Sequence, residues 1–379
     1  MERVDRSGGA VGGGVKADRA WRAVREAKAL VVRAPNWIGD AVMATPTLSA
    51  LRAGCPDASI TVLAKPLIAE ALTHHPAVDE IMLDEIPGRH AGPSGRLRLA
   101  AEIRARRFDA ALLLTNSFGS ACVMALARVP CRIGYRTDGR SMWLTVPIPR
   151  PSRARVQHLT AYYLELLAPW HLVGHPTDVR LQVTEDERSQ AGRRLREWGI
   201  GLDESIVGLN PGAAYGPAKR WPAERYAEVA RRLALDGARV VLFGAASERP
   251  LGDAIAAGLD PAPVNAMGRT TLREAMALLT WCGHLVTNDS GPMHLAAALG
   301  VPVTAIFGPT DPGVTGPVGE HAAVIRHPVD CAPCRYRECP IDHRCMTAVS
   351  AEEVYKSAIS SQLIAQERLE TPERLTDER

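Results

Sequence analysis

At 379 residues the chain exceeds one ordinary hydrophobic core, and an apolar content of 46% is ample for two. A mean hydropathy of -0.07, with no uncharged apolar run long enough to span a bilayer, excludes a transmembrane helix. The net charge of +3 is unevenly spread: residues 1–170 carry 23 Lys+Arg against 15 Asp+Glu, leaving 22 against 27 for the remainder.

The basic excess is mainly arginine, with twelve between Arg96 and Arg155. Such a half suits an anionic partner or membrane surface, or a solvated surface in a chain that prefers Arg to Lys. With 5% aromatics and no stacking motif, nucleic acid is disfavoured. Residues 1–28 hold a Gly cluster and scattered charges without the apolar core of a signal peptide, so a loose tail on a cytoplasmic protein is expected.

The folded chain is expected to start at Ala29. Residues 29–33 (ALVVR) read as a buried parallel strand, 34–40 as the loop after it and 41–51 as a helix. Strands follow at 59–64, 79–83 and 109–114, with helices at 68–73 and 97–106. Alternation at this spacing gives a parallel sheet covered on both faces. Arg132 to Arg140 reads as strand and turn, the Pro-rich 147–151 breaks regularity, 158–167 is an amphipathic helix and 176–183 a linker. A second winding runs through strands at 206–209, 238–243, 284–287 and 303–307 and helices at 223–233, 251–257, 272–279 and 294–299. The expected architecture is α/β, two facing Rossmann-like domains (29–180 and 181–349) with a cleft between them. A helix from 350 to 366 would pack back across both, ahead of a mobile tail at 367–379.

In such sheets ligands sit beyond the carboxyl ends of the strands. Asp40 follows the first strand, where it can serve as a general base or as the N-cap of the next helix. Asn210 to Pro222 follows the first strand of the second half. Gly212 and Gly216 there permit close backbone approach and Lys219 and Arg220 add charge, but the spacing is not that of a Walker loop. Glu248, after the next strand, stands where a ribose-binding carboxylate would. The turn Asn288-Asp289-Ser290-Gly291 before the helix carrying His294 directs backbone N–H groups at one spot, as a diphosphate requires. Asp and Ser also cap helices, and a lone His also serves as a core residue.

Together, Arg33 to Asp40, Asn210-Pro211-Gly212, Gly216 to Pro222, Phe243-Gly244, Thr287 to His294 and Phe307 to Pro312 stand in an order that resembles the ADP-heptose:lipopolysaccharide heptosyltransferases of glycosyltransferase family 9. The Gly-Pro-Ala-Lys-Arg-Trp-Pro segment is similar to the branch that adds the second inner-core heptose. The resemblance implies a GT-B glycosyltransferase that binds its acceptor, Kdo-heptose-lipid A, on the first domain and ADP-heptose on the second, with inversion at the anomeric carbon. It also implies Asp40 as base, Lys219 on the diphosphate, and Glu248 on the ribose. Asp289, Ser290, Gly291 and His294, with Gly212, would form the donor seat, and Thr270 would lie by the adenine. Where some relatives carry hydroxyl residues ahead of the lysine, this chain has Ala214 and Tyr215. Asn36, Trp37, Arg132, Arg136 and Arg140 are the candidate acceptor contacts. A lipid acceptor implies peripheral contact with the inner membrane surface.

Such a reaction needs neither metal nor cofactor, since Lys219 and the turn's N–H groups can stabilise the leaving ADP. Another inverting GT-B transferase such as a heptosyltransferase I, a sugar-nucleotide epimerase, or a non-catalytic nucleotide-sugar binding protein would share the two-domain plan. Outside this account stands Cys331-x2-Cys334-x4-Cys339-x5-Cys345 within the Cys-rich segment 327–345, flanked by His327 and His343. Its spacing suits either a structural zinc or free thiols in a reducing compartment.

Overall fold

The computed structural model describes residues 24–170, 172 and 174–370, with side chains as far as residue 360. Two six-stranded sheets, parallel throughout, make up the frame. The first is built from β1 (Ala29–Arg33), β2 (Ser59–Ala64), β3 (Glu80–Leu83), β4 (Ala110–Leu113), β5 (Cys131–Tyr135) and β6 (Val146–Ile148), in the order β3-β2-β1-β4-β5-β6. The second holds β7 (Ile206–Asn210), β8 (Arg239–Leu242), β9 (Val264–Asn265), β10 (His284–Asn288), β11 (Val303–Ile306) and β12 (Ala322–Ile325), in the order β12-β11-β10-β7-β8-β9. Counted within each half, both have the Rossmann order. β7 and β10 are buried along their whole length, as strands covered on both faces must be.

In this order the chain reverses its winding beside the first strand, so β1 lies against β4 and β7 against β10. The crevices at the carboxyl ends of these pairs are the natural ligand seats. Helices α1 (Ile38–Met43) and α2 (Thr45–Gly54) follow β1. They replace the single helix expected over 41–51. Pro46 has no N–H to give, and the Thr45 hydroxyl instead donates to the Val42 carbonyl at 2.7 Å. The first half continues with α3 (Pro66–Leu72), α4 (Gly92–Ala105), α5 (Phe118–Leu126) and α6 (Leu159–Leu164), the last followed by a 3-10 turn over Glu165–Trp170. The second adds α7 (Glu185–Glu197), α8 (Ala223–Leu235), α9 (Arg249–Ala256), α10 (Leu272–Leu279), α11 (Gly291–Ala298), α12 (Pro312–Thr315), α13 (Arg344–Thr347) and α14 (Ala351–Glu370).

Two expectations change at the ends. Val24 and Ala27 are buried in the core, so the folded body begins ahead of Ala29, while the rest of the expected tail, 1–23, lies outside the described residues. Helix α14 runs to Glu370 rather than 366, and of the expected tail 371–379 lies outside the described residues. Over its described side chains α14 covers the second half. Val354 and Ala358 are fully buried in the second half's core, on α8, β10 and β11, because that face of the second sheet needs a helical cover.

The halves meet through α1 and α11, with α3 against α10 beside them. Gly39 and Gly291 make the first contact close: a Cβ on Gly39 would stand 2.7 Å from His294 Cδ2, and one on Gly291 would stand 3.2 Å from Ile38 Cβ. In the second, Arg273 of α10 donates to the Thr73 carbonyl at 3.3 Å and is held by Glu187 at 2.5 Å. Among the described residues no helix is long and apolar enough to cross a membrane.

Candidate active site

Asp40 lies in the first turn of α1, whose N-cap is Trp37, so the carboxylate does not cap the helix. It accepts a hydrogen bond from the Tyr163 hydroxyl at 3.1 Å instead. Partial burial raises the Asp40 pKa above the usual aspartate value, against the opposing pull of Tyr163. Across the interface Lys219 lowers it and Asp289 raises it, which places both within electrostatic reach. A carboxylate held this way is a stronger proton acceptor than a solvated one.

The opposite wall is built at the ends of β7 and β10. Asn288 donates to the carbonyls of Pro211 (2.8 Å) and Gly212 (3.2 Å) and accepts from the Trp221 N–H and the Tyr226 hydroxyl, each at 3.1 Å. Asn210 donates to the Phe243 carbonyl at 2.9 Å, and its Oδ1 accepts from Ser290 at 3.0 Å and Thr287 at 3.2 Å. Two asparagines thus lace the Gly212 loop to the Ser290 turn. Their role left no separate mark in the sequence beyond the motif itself.

On this frame Lys219, in a 3-10 turn at Pro217–Lys219, places Nζ 2.5 Å from Asp289 Oδ2 and 4.9 Å from the centre of the Tyr215 ring. Thr310 donates to the same Asp289 oxygen. Ser290 is the N-cap residue of α11, yet its hydroxyl is turned to Asn210 rather than to the helix. The first-turn N–H groups therefore keep their donor capacity for an anion. His294, one turn on, is buried and packs on Gly39, and burial holds its pKa down to about 4, so it is neutral at physiological pH. Glu248, in the 3-10 turn after β8, accepts from the Ala245 N–H at 2.9 Å and lies flat on Gly212, where a Cβ would meet its carboxylate at 2.2–2.3 Å. Thr270 is half-buried in the loop that Gly268 pins to Gly244 by a 3.1 Å bond.

The candidate acceptor residues divide. Asn36 lines a cavity of about 290 Å³ with Arg33, Lys65, Asp84, Arg96 and Ser117, at the carboxyl edge of the first sheet. Arg33 and Arg96 both bond Asp84 there, at 2.8 and 3.2 Å. Trp37 is 53% exposed beside it, and Arg136 is exposed at the carboxyl end of β5. Arg132 and Arg140 are corrected to structural roles. Arg132 sits at the amino end of β5, away from the ligand edge, and donates to the carbonyls of Trp143 (2.7 Å) and Val129 (2.5 Å). Arg140 is fully buried, with its guanidinium on the carbonyls of Tyr135 and Thr115 and on Asn116 Oδ1. Two buried carbonyls needing donors explain an arginine there.

Among the described residues no three Cys, His, Asp or Glu side chains are arranged to hold a metal ion. The four clustered cysteines form no disulfide, and Cys331, Cys334 and Cys339 lie within electrostatic reach of Cys345. Their segment also braces the lysine loop. The Arg337 carbonyl accepts from the Ala218 N–H at 3.0 Å, the Arg335 carbonyl from the Tyr215 hydroxyl at 2.8 Å, and His343 bonds the Ala218 carbonyl at 2.7 Å.

Two parallel sheets with their ligand edges opposed, a carboxylate on one and a lysine with a helix N-terminus on the other, are what sugar transfer from a nucleotide needs. The sequence profile of glycosyltransferase family 9 (heptosyltransferase) matches residues 96–344. The chain belongs to this family. It is 34% identical over 314 residues to a lipopolysaccharide heptosyltransferase 2 of Salmonella typhimurium, covering 78% of this chain and 87% of that one. The Escherichia coli protein of the same name is 33% identical with the same coverage. Among solved structures, the Escherichia coli ADP-heptose LPS heptosyltransferase II superposes with a TM-score of 0.75 at 31% identity, over 89% of this chain and 99% of that one. A family 9 glycosyltransferase from Veillonella parvula gives 0.79 at 26% identity, over 89% and 97%. The fold is GT-B and the chain is a glycosyltransferase of the heptosyltransferase family.

Proposed function

We propose that the protein transfers heptose from ADP-heptose to the heptose of a lipopolysaccharide inner-core acceptor, Kdo-heptose-lipid A, with inversion at the anomeric carbon. The observation that carries this reading is the opposition of Asp40 to Lys219 and the α11 N-terminus across the α1–α11 contact. Asp40 takes the proton of the acceptor hydroxyl as its oxygen attacks C1 of the heptose. The bond from C1 to the phosphate oxygen breaks on the opposite face, and ADP leaves with the electron pair. Lys219 and the N–H groups of the Ser290–Gly291 turn meet the growing negative charge, a preorganised arrangement that works best in a site from which water is excluded. Glu248 and Gly212 take the ribose side, with Thr270 towards the adenine.

Residues 29–180 form the acceptor side in this reading, and 181–349 the donor side. The cavity holding Arg33, Lys65 and Arg96 suits anionic groups of the acceptor, although Asp84 offsets part of its charge. Trp37, Leu67, Leu97 and Phe118 are exposed apolar side chains on elements of the same half and support a peripheral seat on the inner membrane. The test is turnover with ADP-heptose and heptosyl-Kdo-lipid A, with the linkage of the product read by NMR. An α-linked heptose product from a β-configured donor supports the reading. Donor binding without transfer replaces it with a nucleotide-sugar binding protein, and turnover with UDP-sugars alone replaces the donor.

A further inference from the structure

Helix α6 joins the two sides of the site through a polar contact near each of its ends. At its N-terminus His158 accepts from the Thr160 N–H through Nδ1 at 3.3 Å, while Nε2 bonds the Gly316 carbonyl of the second half at 3.0 Å. Five residues on, the buried Tyr163 sends its hydroxyl to Asp40 Oδ1 at 3.1 Å. The Tyr163 ring has little room to turn. It stands edge-on to Tyr162 at 5.5 Å, and Tyr162 packs on Tyr135 at 4.6 Å, whose own hydroxyl is fixed on the Tyr162 carbonyl at 2.6 Å.

We propose that Tyr163 is a positioning residue for Asp40: its hydroxyl fixes the carboxylate in the orientation that receives the acceptor proton, and α6 ties that orientation to the second half through His158. The proposal rests on the reading of Asp40 as base. A carboxylate has about four acceptor sites, so one bond to Tyr163 restrains it and leaves capacity for the acceptor hydroxyl. Burial and the neighbouring carboxylate push the Tyr163 hydroxyl far above the usual tyrosine range, so it remains a donor at every working pH. The other charged or titratable groups acting on the pair are Lys219, Asp289, Tyr162 and Tyr135. His294 packs on the neighbouring Gly39, with His158 within its electrostatic reach. His294 is neutral in the working range, and burial lowers the pKa of His158 too. A plain alternative is that Tyr163 is a core residue whose hydroxyl needs an acceptor and finds Asp40.

The two are separated by the kcat plateau of pH–rate profiles of the full chain, since the acidic limb moves under either and only positioning lowers kcat where Asp40 is fully charged. Tyr163→Phe should lower kcat by about tenfold or more, the effect of losing a hydrogen bond to a charged group. KM for ADP-heptose should stay unchanged, and the acidic limb should move to higher pH, because the bond it removes favours the charged carboxylate. Site-specific 3-fluorotyrosine at 163 keeps the ring and makes a stronger donor, so the limb should move to lower pH. It also reads the bond directly if Tyr163→Phe fails to fold. A limb unmoved by the fluorinated residue, or a kcat plateau unchanged in a folded Tyr163→Phe, overturns the proposal. Asp40→Asn measured alongside keeps the two readings apart: retained turnover there overturns the base assignment and the proposal with it, whereas lost turnover with an unmoved limb overturns the role of Tyr163 alone.

Discussion

Lys219 Nζ lies 2.5 Å from Asp289 Oδ2, with 12% and 5% of the two side chains exposed, so the cation proposed for the donor diphosphate is held in place by an acid on its own wall. With Thr310 on the same oxygen, Asp289 sets where the ammonium stands before the donor arrives. Lys219→Ala should lower turnover by roughly 10²–10³-fold and weaken ADP-heptose binding. It should also destabilise the fold by on the order of 3 kcal/mol, since Asp289 then stays buried without its cation. Lys219→Met combined with Asp289→Asn should recover stability and not activity. Thermal unfolding beside steady-state kinetics checks this, and a double variant that regains turnover would remove Lys219 from the chemistry.

Asp40→Asn should cut turnover by about 10²-fold or more while ADP-heptose still binds. Its effect on stability has the opposite sign. A carboxyl whose pKa is raised on folding costs stability wherever it is charged, that is at pH above its unfolded value. The variant should therefore unfold at a higher temperature than the wild type at pH 7 to 8. The gain should shrink as pH falls into the carboxyl range, where the wild-type group takes up its proton. Wild-type kcat/KM should fall on the acid side at a pH above that of an ordinary aspartate. His294, at about 4, should leave no inflection near the usual histidine value. Unchanged turnover in Asp40→Asn, or a lower unfolding temperature at pH 8, would contradict these assignments.

The frame was legible because buried parallel strands are continuous apolar runs, and their motifs stand directly after them. Residues 29–33, 206–209 and 284–287 were placed to within one residue, and with them Asp40, Gly212 and Asp289. What escaped depends on contacts between distant segments. Nothing near Tyr163 shows that its hydroxyl reaches a carboxylate 123 residues earlier. The opposite error came from the arginines: a charge count cannot tell Arg136, exposed at the ligand edge, from Arg140, four residues on and fully buried against carbonyls. The arginines that do line a cavity, Arg33 and Arg96, are brought together by Asp84 from the end of a third strand. Helix α7 was missed despite its Thr184–Glu187 capping box, because its mean composition is strongly polar and its buried face is only Ala191, Gly192 and Leu195.

The two arginines give a paired prediction. Burial lowers the Arg140 pKa to about 10, and the group stays charged on its carbonyls. Arg140→Met should destabilise the protein by roughly 1–3 kcal/mol for each buried carbonyl left without its donor, and leave KM for the acceptor unchanged below the unfolding transition. Arg136→Ala should do the reverse, with stability within about 0.5 kcal/mol of wild type and a higher acceptor KM. Denaturant unfolding and acceptor titration at fixed ADP-heptose measure both. An acceptor KM that responds to Arg140→Met at full folding would return that residue to the site.

Gly212→Ala tests the donor side by volume rather than charge. The added methyl would stand 2.2–2.3 Å from the Glu248 carboxylate, too close for any contact, so the acid must swing away from the loop. Moving it breaks the bond from the Ala245 N–H at 2.9 Å and takes the carboxylate from the neighbourhood of Arg220 at 3.9 Å. The backbone at Gly212 is anchored by Asn288, which argues that the side chain gives way before the loop does. If Glu248 holds the ribose hydroxyls, a site built to hydrogen-bond them should distinguish ADP from its 2′-deoxy or 3′-deoxy analogue. Gly212→Ala should raise KM for ADP-heptose by roughly tenfold, about one hydrogen bond to a charged group, with little loss of stability. The preference for ADP over the deoxy analogue should fall together with it. Glu248→Gln offers the complementary change, because it keeps the shape and weakens the acceptor. A Gly212→Ala variant that binds ADP more weakly yet discriminates against the deoxy analogue as well as the wild type does would place the ribose elsewhere, and leave Glu248 as a clamp on the Ala245 turn.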